Sequence, residues 1–397
     1  VTYFETLLTN IVADPDQRLA SLPVLTVTED IDDTYPLSPM QQGMYFHTLQ
    51  AAQSGVYIEQ MVMSLHEDLN VEAFLRSWQQ ITERHPILRT GFPEQDLLQP
   101  LQFVNKQVSL PLQQHDWRHL SAQEQEEHLQ AYLRADRNTE FDLTTPPLMR
   151  FALFRLAETD YRCIWTFHHI LLDGRSFTIV LKEVFSCYQA LCQNQRWSSP
   201  VPRPYRDFID WLSQQPVEAA KDFWQELLKG FSSPALLPTS YLDNVEQGCG
   251  EQKIQLSATV SSTLSTLAQQ HQLTLNTLVQ GAWAILLSHY NGENDIVFGC
   301  TRAGRHAIEE AQSMVGLFIN TVPIRVQITP GTPLIDWLKV LRTQWIELRN
   351  YEHTPLIKVQ EWSDVSPGTP LFNTILVFEN YNLNTTLRAQ GGEWLQR

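Results

Sequence analysis

Cysteine is sparse, and its arrangement does not suit a disulfide framework. There are five in 397 residues, an odd number, and none forms a Cys-x-x-Cys pair. Cys163, Cys187, Cys192, Cys249 and Cys300 read instead as reduced thiols of a cytoplasmic protein. Basic charge is scarce as well. Lys and Arg total 28 against 44 Asp and Glu, a net charge of −16 at pH 7, so the chain lacks the cationic surplus that a nucleic-acid backbone demands. No apolar run approaches the roughly 20 residues needed to cross a bilayer, and no secretory leader opens the sequence. The expectation is a soluble, cytoplasmic protein with neither nucleic acid nor membrane as partner. Gly-x-Ser-x-Gly is absent, which excludes a serine-hydrolase elbow. "GCTRAG" at 299–304 has too few glycines and no Lys-Ser/Thr for a phosphate loop. Short-period repeats and low-complexity tracts are missing too.

What is present is core material. Apolar residues make up 43% of the chain, with 11 Trp, 12 Tyr and 18 Phe, enough to offset the entropy of ordering a large body. Apolar spacing predicts helices over 1–20, 71–84, 121–137, from about 176, 258–270, 274–290 and 333–350. Strands are expected at 148–156, 161–167, 295–299, 321–328 and near 374–379. In the second of these Cys163, Trp165 and Phe167 alternate with Arg162, Ile164 and Thr166, as the two faces of a sheet require. Three prolines in the six residues 199–204 mark the best internal boundary. Helices alternating with strands on both sides of it give an α/β (α+β) expectation, with two lobes and a sheet in each.

The stretch "TFHHILLDG" at 166–174 carries the densest polar chemistry. Its plain reading is a strand, a turn and a helix, with Gly174 permitting the turn, Asp173 or Ser176 capping the helix, and two satisfied histidines. Adjacent histidines point to opposite sides of a strand and do not share a metal easily, and zinc ligands usually have wider spacing.

His-His-x-x-x-Asp-Gly does not stand alone. "YPLSPMQQGMYFH" (35–47), "RHPILRTGF" (84–92) and "FDLTTPPLMR" (141–150) precede it. "PYRDFIDWL" (204–212), "FGCTRAGR" (298–305), "MVGLFINTVPIRV" (314–326), "YEHTPLIKVQEWS" (351–363) and "GTPLFNTILVFENY" (368–381) follow. In content and order these segments resemble the motifs of condensation domains of non-ribosomal peptide synthetases, within the chloramphenicol-acetyltransferase-like superfamily. The resemblance covers roughly residues 30 to 385.

The resemblance implies two chloramphenicol-acetyltransferase-like lobes in a V-shaped pseudo-dimer with a central tunnel. The N-terminal lobe would span 30–198 and the C-terminal lobe 199–397, ending soon after "VFENY" where relatives continue. Residues 1–29 resemble the tail of a preceding condensation domain. The implied activity is amide formation between a donor acyl or peptidyl thioester and an acceptor aminoacyl thioester. Upstream donor and downstream acceptor peptidyl carrier proteins would bring these on phosphopantetheine arms, beside adjacent adenylation or condensation domains. The domain itself would bind no cofactor and no metal. His169 would act at the reaction centre and Gly174 would keep its approach open. His168 would be structural, and Asp173 would brace the loop through an ion pair with Arg305, Arg302 being the rival partner. Asn320 matches a recurrent family asparagine, read either as substrate-binding or as a strand-end hydrogen bonder. Arg175 stands where many relatives carry Trp, at the channel, and is a second substrate-binding candidate. An epimerisation domain of the same fold and a non-catalytic docking platform are the alternatives. A heterocyclising relative is excluded because it would carry Asp in place of the first His-His.

Overall fold

The structure is a computed structural model and describes residues 30–50, 55–93, 100–234, 237, 250–306 and 308–379. The helix expected over 1–20 and the rest of segment 1–29 lie outside these residues. The described chain forms two compact units. One takes residues 30–215 together with 305–319, and the other takes 216–304 and 320–379.

The first unit runs β1 (Ile31–Pro36), α1 (Pro39–Gln50), β2 (Ile58–Leu65), α2 (Val71–Arg84), β3 (Thr90–Gly91), β4 (Leu101–Asn105), β5 (Leu112–Asp116), α3 (Ala122–Arg137), β6 (Met149–Ala157), β7 (Asp160–His168), α4 (Gly174–Cys192) and α5 (Arg206–Ser213). Its main sheet has the order β2-β7-β6-β5, antiparallel except for the parallel β5–β6 pair. A smaller antiparallel sheet has the order β1-β4-β3.

The alternation in β7 sorts the layers. Cys163, Trp165 and Phe167 enter the main core with α2 and α4, whereas Ile164 joins Ala152, Phe154 and Leu129 of α3 on the opposite face. Thr166 also turns to that face, where its hydroxyl donates to Asp136 of α3 at 2.6 Å. The helix α2 forms where its apolar period predicts, started by Asn70, whose side chain accepts the Ala73 N–H at 3.0 Å. Its Trp78 is 1% exposed and lies 4.5 Å from Phe151 and 4.8 Å from Trp165, ring centre to ring centre. That aromatic nest locks α2 to the central strands.

The second unit runs α6 (Val217–Leu228), α7 (Ala258–Gln270), α8 (Leu275–Asn291), β8 (Asp295–Arg302), β9 (Asn320–Gln327), α9 (Leu334–Glu347), α10 (Leu356–Glu361) and β10 (Ile375–Leu376), with the sheet order β10-β8-β9. Trp224, Leu287, Phe298 and Ile324 anchor its core. Two expectations shift here. The strand at 295–299 continues to Arg302, and the one near 374–379 shrinks to two residues. The short β10 reaches β8 because Gly299 has no side chain: a Cβ there would collide with the Phe372 ring.

The division of the chain also differs from a cut at 198/199. The proline-rich stretch does not end the first unit, because α5 buries Phe208 and Ile209 in the same core. Segment 305–319 belongs to that core as well, with Phe318 at 4.7 Å from Phe208.

Replacing Trp78 by Ala is expected to destabilise the protein by about 3–5 kcal/mol, the usual cost of removing a fully buried large aromatic. Equilibrium denaturant unfolding checks this, and a wild-type midpoint would contradict the aromatic nest.

Candidate active site

The strand β7 delivers the two histidines to the edge of the sheet. Pairing with β2 lasts to the Ile58–His168 register, and one residue later the His169 N–H still donates to Tyr57 O at 2.8 Å. The chain then turns. Leu171 N–H donates to His168 O at 3.1 Å and Leu172 N–H to His169 O at 3.3 Å.

The two rings have separate surroundings. His168 is 2% exposed, and its Nδ1 accepts the Ile170 N–H at 3.1 Å. An accepting Nδ1 puts the proton on Nε2, which faces Thr48 Oγ1 of α1 at 3.2 Å. Burial, with a smaller contribution from the neighbouring His169, pushes its pKa down to about 3. His168 is therefore a neutral, engaged, interior group. His169 is half-buried, and its Nδ1 is buried with no hydrogen-bond partner.

Asp173 is both the helix cap and the ion-pair partner. Its Oδ1 accepts the Ser176 N–H at 2.8 Å, which starts α4. Arg305 donates to both carboxylate oxygens, at 2.9 and 3.1 Å, and the Phe318 N–H donates to Oδ2 at 3.1 Å. Both charged side chains are 2% exposed. Arg305 also donates to Ala311 O at 2.6 Å and Met314 O at 2.8 Å, and lies 4.0 Å over the Phe318 ring. Burial draws its guanidinium below the usual arginine range, a tendency that Asp173 opposes. The rival Arg302 has another partner, Glu352 at 2.8 Å, in the second unit.

The remaining candidates are distributed differently. Gly174 is the first residue of α4 and is not among the positive-φ glycines, so a left-handed turn is not the reason for a glycine there. Arg175 is exposed, with Nε donating to Gln312 O at 3.2 Å. Asn320 opens β9 in the second unit and donates both amide hydrogens to backbone, to Glu352 O at 2.9 Å and Thr354 O at 2.8 Å. Among the described residues no group of three or more His, Cys, Asp or Glu could hold a metal ion, and no helix is long and apolar enough to cross a membrane.

Sequence reasoning gave no individual role to Tyr57, Thr48, Gly316 or Tyr205, and considered Ser176 only as a cap. Tyr205 and Gly316 do fall inside the segments "PYRDFIDWL" and "MVGLFINTVPIRV", which was the available signal.

Two α/β units, with a strand-ending His-His-x-x-x-Asp-Gly turn in one of them, have the chloramphenicol-acetyltransferase-like fold. Solved structures share the fold. The first condensation domain of the calcium-dependent antibiotic synthetase, in complex with a substrate analogue, matches with a TM-score of 0.71 at 17% identity over 88% of this chain and 82% of that one. The four-domain non-ribosomal peptide synthetase holo-AB3403, bound to AMP and glycine, matches with a TM-score of 0.71 at 21% identity over 90% of this chain and 27% of that one. The Condensation domain family profile matches residues 31–393. A linear gramicidin synthase of Brevibacillus parabrevis is 43% identical over 384 residues, covering 96% of this chain and 5% of that protein. Tyrocidine synthase 2 of the same organism is 36% identical over 364 residues, covering 91% and 10%. The chain belongs to the condensation-domain family of non-ribosomal peptide synthetases. It spans a small fraction of the length of these curated relatives.

The depressed His168 pKa sets a pH dependence with a definite sign. Between about pH 6.5 and 3 the unfolded chain binds a proton that folded His168 refuses. Its contribution is therefore complete above pH 6.5 and is lost on acidification, at up to about 1.4 kcal/mol per pH unit. His353, whose pKa burial also lowers, acts in the same direction. Thermal unfolding from pH 7 to 4 should fall more steeply for the wild type than for His168→Gln; parallel curves would contradict a buried neutral His168.

Proposed function

We propose that this domain forms an amide bond between two carrier-bound thioesters, the amine of an acceptor aminoacyl group attacking a donor acyl or peptidyl thioester beside His169. One observation carries the reading. Of the titratable side chains in the motif, His168 and Asp173 have their polar atoms engaged by the protein, whereas the ring of His169 is half-buried and makes no hydrogen bond to the protein, its Nδ1 facing inward and its Nε2 left for a substrate.

The chemistry makes modest demands. A thioester is already activated, and an α-amine with a pKa near 8 is roughly a tenth neutral at pH 7. The harder step is the tetrahedral intermediate, whose ammonium must lose a proton as the thiolate leaves. In serine-hydrolase triads a carboxylate holds the imidazole tautomer for that work. His169 Nδ1 has no such acceptor, which favours a ring that orients the amine by hydrogen bonding, with proximity of two tethered substrates supplying much of the rate. Asp173, which accepts N–H donors from Ser176, Arg305 and Phe318, is a brace rather than a proton carrier. Gly174 leaves the approach free of a side chain, and Arg175 presents an exposed charge next to it. Asn320, with both amide hydrogens committed, is assigned the strand-end positioning role.

The substrates would arrive on the phosphopantetheine arms of an upstream and a downstream carrier protein, and the domain would bind no cofactor of its own. Adenylation or further condensation domains are the expected neighbours. The test is to incubate the protein with two differently loaded carriers and follow the acceptor by mass spectrometry. The wild type should yield a dipeptidyl acceptor, and His169→Ala should lower its rate by roughly 100-fold or more. Unchanged turnover by His169→Ala would overturn the assignment. Inversion of a carrier-bound residue without amide formation would establish epimerisation instead.

A further inference from the structure

We propose that Ser176 is a positioning residue for this reaction: its hydroxyl locks segment 305–319 onto the start of α4 and so fixes the turn that carries His169. The proposal rests on His169 as the reacting group.

His169 sits between two backbone anchors. On one side its N–H is held by Tyr57 O; on the other, the turn ends at Asp173, whose N–H donates to Gly316 O at 3.2 Å. The second anchor is only as firm as Gly316, and Gly316 is held chiefly by Ser176. The Ser176 hydroxyl donates to Gly316 O at 2.6 Å, accepts the Gly316 N–H at 3.0 Å and accepts an Arg305 N–H at 2.6 Å. A hydroxyl has one proton and two lone pairs, so every hydrogen-bonding position of this side chain is used, in a site with 0% exposure. In an ordinary capping box the third helical side chain reaches back to the N-cap N–H. Here Gly316 O takes that N–H, and the third side chain, Ser176, holds Gly316 in place.

The far side of the segment is fitted to the same purpose. Tyr205 Oη donates to Leu317 O at 2.6 Å, and its ring lies so close to Gly316 that a Cβ there would overlap it. Phe318 then reaches Asp173 Oδ2 with its N–H. Removing the Ser176 hydroxyl would leave the Gly316 N–H and an Arg305 N–H without their acceptor and deprive Gly316 O of one of its two donors. Ser176, Arg305 and Gly316 are buried and so present no surface to a carrier protein. The defect should therefore appear as misplacement of His169 and not as weaker carrier binding.

The experiment compares Ser176→Ala with wild type in the two-carrier assay, and follows the histidine side-chain NMR signals of the labelled protein. Ser176→Ala should lower kcat about 10- to 100-fold with little change in KM for either loaded carrier, since a misplacement of about 1 Å can cost that much. The His169 signal should move while those of the exposed His115, stacked on Phe154, and His128, edge-on to Trp117, on the other face of the sheet, stay put. Tyr205→Phe, which keeps the ring and removes one bond to the segment, should show the same pattern more weakly. Wild-type kcat in Ser176→Ala, with His169→Ala inactive, would overturn the proposal and leave Ser176 a plain helix residue. Loss of activity only in step with loss of folded protein, in both Ser176→Ala and Tyr205→Phe, would overturn it too. If His169→Ala is itself active, the underlying functional reading has failed instead.

Discussion

The carboxylate of Asp173 is the point on which the site depends. It caps α4, pairs with Arg305 and receives the Phe318 N–H, so one buried anion ties a helix start, a buried cation and a returning chain segment together. A buried ion pair of this kind contributes little net stability, because both ions must leave water. Its value lies in what the geometry demands. An uncompensated Asp173 or Arg305 would be costly, so the turn and segment 305–319 are held in the one arrangement that brings them together. Between them lies the stretch 169–172, fixed at one end by Tyr57 and at the other by Gly316.

This arrangement separates two chemically identical neighbours. Strand geometry sends His168 inward, where a backbone N–H and a threonine hydroxyl engage both nitrogens and burial keeps the ring neutral. His169 begins the turn, is held by its backbone, and keeps a ring nitrogen unclaimed. In the proposed reaction the protein contributes position and an oriented hydrogen bond, and the thioester contributes the driving force.

Much of the fold was legible because long periodic elements carry their own signal. The α2 stripe of Phe74, Trp78 and Ile81 and the β7 alternation were readable directly. The elements missed include the five-residue β4 and β5, the latter largely exposed, and also the longer β2, α1 and α6, so length alone does not decide which elements were readable. The 199–204 prolines pointed to an end of the unit that the burial of Phe208 and Ile209 carries beyond them. At the site, the residues of the motif were visible as a string. The bonds that organise it were not, because Ser176 and Gly316 are 140 positions apart and meet only after folding. The plain reading of Gly174 as a turn glycine does not hold, because the N-cap bond from Asp173 makes it the first helical residue, with no positive φ.

If Asp173 acts by holding Arg305 and its segment, removing either partner breaks the same structure, and removing both should add little. The decisive measurement is a double-variant cycle of Asp173→Asn and Arg305→Met, read as kcat in the two-carrier assay and normalised to folded protein. The account predicts that the double variant loses about as much as the worse single variant. Losses that multiply, with Asp173→Asn and Arg305→Met acting independently, would contradict a shared bracing role and return Asp173 to the chemistry itself.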